Sequence, residues 1–139
     1  MVNEARGSPY TLSPEYYDKN PHDLVIADSF SVGVCLLCML LGRIPYLAPL
    51  PQPIKPTDKH RFMIICNQMK KDIGFTQYLC KQFDHQLRQV LLRILEPNPH
   101  QRLTIEEFLA DQWFAQSLQF EDISDRNKVK QRRRYSADY

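Results

Sequence analysis

The sequence has 139 residues and a mass of 16.4 kDa, is 43% apolar and 24% charged, and carries 18 Lys+Arg against 16 Asp+Glu for a net charge of +2. The length suits one compact domain with a core of its own, and the composition excludes collagen, a disulfide knot, a low-complexity polymer and disorder throughout. The four glycines (Gly7, Gly33, Gly42, Gly74) are scattered, which excludes a glycine-rich phosphate loop, because such loops cluster glycines to bring backbone N–H groups onto the anion.

Taken in chain order, residues 1–12 lack periodicity and read as loop. Ser13-Pro14-Glu15 spells a helix start, with a hydroxyl at the cap, proline at the first position and a carboxylate in the first turn. Asn20-Pro21 breaks that short helix. Asp28 is placed to cap the next helix, which runs to Leu41 and stops at Gly42. This helix is apolar nearly all round, so it is expected to be surrounded by protein. Its unbroken apolar run, Val32 to Leu41, falls well short of the roughly 20 residues of a membrane span and reads as a core helix. Cys35 and Cys38 form a C-x-x-C inside this run. No second ligand pair stands at zinc spacing, so they read as two small hydrophobes on a buried helix.

A proline-rich stretch follows, with Pro45, Pro49, Pro51, Pro53 and Pro56. It reads as a stiff surface connection, with Pro53-Ile54-Lys55-Pro56 as an alternative ligand for an aromatic-lined groove. Phe62, Ile65, Cys66 and Met69 recur at helical spacing over Lys59–Lys71, and Leu87, Val90, Leu91, Ile94 and Leu95 do so over Asp84–Leu95. Asp72-Ile73-Gly74 between them reads as a helix end with a glycine cap. Glu96-Pro97-Asn98-Pro99 breaks the chain. Thr104 then opens a last helix with a capping box to Glu107 and a Leu103–Phe108 staple, closed by Trp113 and Phe114. No segment alternates as a strand, so the fold class is all-α with about five helices.

The common catalytic constellations are missing: there is no G-x-S-x-G, H-E-x-x-H or EF-hand loop. His22, His60, His85 and His100 are scattered and expected to face solvent. The cysteines (Cys35, Cys38, Cys66, Cys80) and the lack of an apolar segment after Met1 point to an intracellular chain, cytoplasmic or nuclear. Charge is uneven. Residues 124–139 hold six basic and two acidic residues, net +4, and leave the body at −2. The body thus offers no electrostatic footing for nucleic acid. The tail reads as a solvated, disordered extension, with a nuclear-import or acidic-surface patch as the alternative. Ser136 follows Arg133-Arg134-Tyr135 and resembles a phosphoacceptor of basophilic kinases.

Four segments rise above this background as an ordered set: Gly7-Ser8-Pro9-Tyr10-Thr11-Leu12-Ser13-Pro14-Glu15, then Asp28-Ser29-Phe30-Ser31-Val32-Gly33-Val34, then Gly42-Arg43-Ile44-Pro45-Tyr46, then Leu95-Glu96-Pro97-Asn98-Pro99-His100-Gln101-Arg102-Leu103-Thr104. Over residues 7–114 the series resembles the C-terminal lobe of a eukaryotic protein kinase, from the end of the activation segment to the final helix. The style is that of Ser/Thr kinases, toward the calcium/calmodulin-kinase-like branch.

The resemblance implies the helical C-lobe portion of the α+β kinase fold over residues 1–123, followed by the basic tail, 124–139. It implies a mostly buried ion pair between Glu15, which matches the Glu of A-P-E, and Arg102. Read without it, Glu15 merely favours a helix N-terminus and Arg102 is a solvated surface residue. Asp28 matches the aspartate that anchors the catalytic loop, against its plainer role as a cap. Gly7, Ser8 and Pro9 match the loop that receives the substrate, and the helix from Lys59 to Lys71 matches one used for docking partners. Thr11, Ser13 and Phe30 depart from the family's usual Tyr, Ala and Trp, which puts the shape of the substrate loop in question.

ATP and Mg²⁺ are implied for the complete family domain, but no residue here matches a holder of either. His60-Arg61-Phe62 lacks the catalytic Asp, and Asp72-Ile73-Gly74 follows the wrong segment to be D-F-G. Catalytic, cofactor-binding and metal-binding residues are therefore expected to be none, and the chain alone is expected to transfer no phosphate. It then reads as a piece of a longer Ser/Thr kinase, since its start falls inside the activation segment. The alternatives are a short pseudokinase-like docking or decoy module, and an unrelated helical interaction domain with a basic targeting tail. Expected partners are a protein substrate, a docking protein or the missing kinase portion, with no membrane. Without the catalytic loop, an apolar flank of the helix ending at Leu41 is expected to be exposed, making the chain aggregation-prone or dependent on a partner.

Overall fold

Helix α1 (Leu24–Leu41) forms the axis of the fold in a computed structural model that describes residues 8–18, 21–47 and 56–117. The cap is Asp23, not Asp28: the Asp23 carboxylate accepts from the Val25 N–H at 2.8 Å. The early start has a packing cause. Ala27 and Phe30 are both fully buried, and only a helix running through Ala27 puts them on one face. Gly42 ends the helix in the left-handed region (φ +69°), where its N–H bonds to the Cys38 carbonyl. Pro14–Tyr16 forms only a 3-10 turn, and the Ser13 side chain makes no cap hydrogen bond there.

Helix α2 (Pro56–Lys71) begins with a proline in its first turn. Next comes α3 (Ile73–Cys80), a helix where a stop was expected: Asp72 caps it by accepting from the Phe75 N–H at 3.1 Å, and Gly74 lies inside its first turn. Asp84 caps α4 (His85–Ile94), which buries Leu87, Val90, Leu91 and Ile94. A reciprocal capping box opens α5 (Ile105–Leu109), with Thr104 Oγ1 accepting from the Glu107 N–H and Glu107 Oε2 accepting from the Thr104 N–H. Trp113 and Phe114 do not extend it. They belong to a separate helix, α6 (Gln112–Ser117), whose start is marked by the Asp111 carboxylate on the Trp113 N–H. The described residues are all-α and contain no strand.

The core gathers Phe30, Val34 and Leu37 of α1, Leu79 and Cys80 of α3, the apolar face of α4, and Leu95, Leu103 and Phe108. Tyr46 is fully buried beside Phe30 and places its hydroxyl 2.8 Å from Thr76 Oγ1, so this large ring enters the core with its polar end satisfied. Gly33 lets α1 cross α4 closely: a Cβ there would lie 2.8 Å from Ile94 Cγ2.

Protein does not surround α1 on every side. Val25, Asp28, Val32, Cys35 and Met39 fall on one exposed stripe, joined by Leu24 and Leu40, with Met39 73% exposed. Cys35 is therefore a surface thiol, and Cys38 is half-buried. By length and composition α1 is apolar enough to cross a membrane, but its Phe30–Val34–Leu37 flank is packed in the centre of the core.

Candidate functional site

The site is built on residues 8–17, a segment folded against the helices from two directions. Ser8 starts it with a tight turn, its carbonyl accepting from the N–H groups of Thr11 and Leu12 at 3.1 and 3.2 Å. Gly7 lies outside the described residues, as do Ser136, the rest of the basic tail and Pro53 to Lys55 of the P-x-x-P.

Arg102 holds the far end of the segment. It is placed by the Glu96-Pro97-Asn98-Pro99 turn, in which the Asn98 N–H donates to Glu96 Oε1 and the Asn98 side chain accepts from the His100 N–H. The Arg102 side chain is completely buried and meets Glu15 in a two-pronged pair, with Nη2 to Oε2 at 2.8 Å and Nη1 to Oε1 closer still. Its other donors are also taken: Nε reaches the Glu96 carbonyl at 2.8 Å, Nη1 the Ile26 carbonyl at 3.0 Å, and Nη2 the Pro97 carbonyl at 3.1 Å. All five guanidinium N–H groups therefore have acceptors, and Cζ lies 5.0 Å from the Phe30 ring centroid. Burial pushes the Glu15 carboxyl up. The hydrogen bonds and charge of Arg102 outweigh this and hold it below its ordinary value. One side chain thus ties the 3-10 turn, the start of α1 and the 96–102 turn together.

Lys70 of α2 holds the near end. Its side chain is fully buried, and Nζ donates to the carbonyls of Pro9 and Leu12, each at 2.8 Å. The Tyr17 ring centroid lies 5.8 Å from Nζ. Phe62, two turns earlier on α2, packs edge-on against Tyr10. The spelling Gln68-Met69-Lys70-Lys71 does not announce this role. The available signal is register, since Lys70 follows Phe62 and Cys66 at four-residue steps on the face that α2 buries.

The structure brings together Ser8, Pro9, Glu15 and Arg102 through this segment. Asp28 is not among the groups that Arg102 or Lys70 gathers; it stands exposed on the α1 stripe. His60, His85 and His100 are exposed, whereas His22 is half-buried with its ring 4.7 Å from that of Tyr16. No group of three or more His, Cys, Asp or Glu among the described residues is placed to hold a metal. Asp72, the first residue of the D-x-G, accepts the α3 capping hydrogen bond through one carboxylate oxygen.

The family model of the protein kinase domain matches residues 1–114. A CBL-interacting protein kinase 2 of Oryza sativa subsp. japonica is 31% identical over 119 residues, covering 85% of this chain and 24% of its own length. The serine/threonine-protein kinase SRK2C of Arabidopsis thaliana is 32% identical over 115 residues, covering 83% of this chain and 31% of its own. A CBL-interacting serine/threonine-protein kinase 9 of Arabidopsis thaliana is 30% identical over 115 residues, with shares of 82% and 22%. The chain therefore spans between about a fifth and a third of the length of these relatives.

Proposed function

Because the chain belongs to the protein kinase family, we propose that it forms the substrate-receiving, helical part of a Ser/Thr protein kinase and does not itself transfer phosphate. The observation that carries this reading is the fully satisfied Arg102, which fastens Glu15 and the 8–17 segment to the helices. A loop anchored at both ends presents a fixed backbone shape to a peptide, and fixed shape is what positions a reacting hydroxyl. The Ser/Thr preference is drawn from the relatives, which are named as kinases of that class.

Phosphoryl transfer needs a lysine on the nucleotide phosphates, a catalytic aspartate and metal-binding Asp/Asn groups. When bound, Mg·ATP supplies the transferred phosphoryl group; the residues here are left with binding and orientation of the acceptor. Two measurements on the purified chain test the reading. Incubation with labelled ATP and Ser/Thr peptides is expected to yield no phosphopeptide, and phosphate transfer refutes inactivity. Photo-crosslinking of the same peptides is expected to mark residues 8–12, and marking confined to other segments refutes the substrate-loop assignment. A docking role is the second reading, favoured by the exposed apolar stripe of α1, which a partner would cover.

A further inference from the structure

Lys70 is costly where it stands. A fully buried ammonium gives up its hydration, and a methionine at the same place would fill the volume without that cost. The acidic groups of the neighbouring segment are committed elsewhere: Glu15 to Arg102, and Asp18 to Lys71 at 3.0 Å. The groups facing Nζ are the Pro9 and Leu12 carbonyls and the Tyr17 ring, with Cys66 one turn back on α2. The two carbonyls bracket Tyr10 and Thr11, the tip of the turn closed by Ser8. We propose that Lys70 is a positioning residue: its Nζ draws the Pro9 and Leu12 carbonyls to one point and so sets the curvature with which the 8–12 loop meets a peptide. The consequence for peptides rests on the substrate-loop reading above; the clamp itself rests on the geometry alone.

Burial pushes the Lys70 ammonium down to about 8, with Cys66 opposing. Loss of the charge leaves an amine with two N–H donors, enough for both carbonyls. Deprotonation therefore weakens the clamp without unfolding the chain.

The first test uses the unmodified 139-residue chain. The Tyr10 and Ser13 amides share peptide planes with the two acceptor carbonyls, so their ¹⁵N shifts should titrate together at a pH of about 8. Joint movement supports a single Nζ held on both carbonyls, and movement of one amide without the other overturns it, with no variant needed. In Lys70→Met, exchange of the Thr11 and Leu12 amides should rise about tenfold or more, while α4 amides change less than about threefold. Unchanged loop exchange overturns the clamp, and so does parallel loss in α4, which marks a merely structural residue. Lys70→Arg, which keeps charge and donors, should restore loop protection and abolish the titration; a surviving titration overturns the assignment. Peptide crosslinking is read separately. If the unmodified chain captures no peptide at residues 8–12, the substrate-loop reading fails while the exchange measurements still decide the clamp.

Discussion

Breaking the Glu15–Arg102 pair from its two ends should give unequal losses. Arg102→Met strands a carboxylate that is 9% exposed and takes one guanidinium donor from each of the Ile26, Glu96 and Pro97 carbonyls. The expected cost is about 3–5 kcal/mol, as for other buried charges deprived of a partner. Glu15→Gln is milder, because Arg102 keeps its three carbonyl acceptors and the amide oxygen still accepts one hydrogen bond. About 1.5–3 kcal/mol is expected there, the range for hydrogen bonds to charged groups. The double variant should lose less than the sum by at least about 1 kcal/mol, since the second change removes a group that the first has stranded. Urea unfolding of the four chains measures all three terms, provided the slope of the transition is unchanged. The pH dependence supplies an independent check. The folded-state pKa of Glu15 lies below its ordinary 4.5, so its contribution is fully present above that value and is lost as pH falls through the folded pKa. Arg102→Met should flatten this acid limb. Losses that add to within about 0.5 kcal/mol, or an acid limb indifferent to Arg102, would refute the pairing argument.

Gly33→Ala should cost about 1–3 kcal/mol, because the new methyl meets Ile94 Cγ2 at 2.8 Å and Leu95 Cδ2 at 3.0 Å; an unchanged denaturation midpoint would show that α1 and α4 can separate freely. Thr104→Ala removes half of a reciprocal capping box and should cost about 1 kcal/mol, read in the same assay. Replacing exposed Val32 and Met39 together by Gln should lower hydrophobic-dye binding and aggregation without lowering the unfolding midpoint. Dye binding that persists in that variant would move the sticky surface away from α1.

What could be read ahead of the structure follows the range over which each signal acts. The capping box at Thr104 and the amphipathic face of α4 are local codes, and both lie within a residue of where the spelling puts them. The start of α1 is displaced because Asp23 and Asp28 are equally good caps; burial of Ala27 chooses between them. Helix α3 hides behind Gly74, which spells a stop but occupies a first turn, where the lost propensity is offset by the Asp72 cap. Glu15 and Arg102 are 87 residues apart, beyond any periodicity, so in the sequence only the resemblance to a kinase lobe joins them.

Lys70 marks the sharper boundary between composition and register. It and Lys71 are adjacent and chemically identical, yet one is fully buried on two carbonyls and the other bridges Asp18 at the surface. A step of one residue turns a helix by about 100 degrees, so the fate of each lysine is decided by the phase of Phe62 and Cys66, both buried, and by nothing in the lysines themselves. A charged residue standing in phase with an apolar stripe is thus more informative than the stripe. Either the helix is misassigned, or the charge has partners that the fold brings to it, and here those partners belong to the loop proposed to meet the substrate.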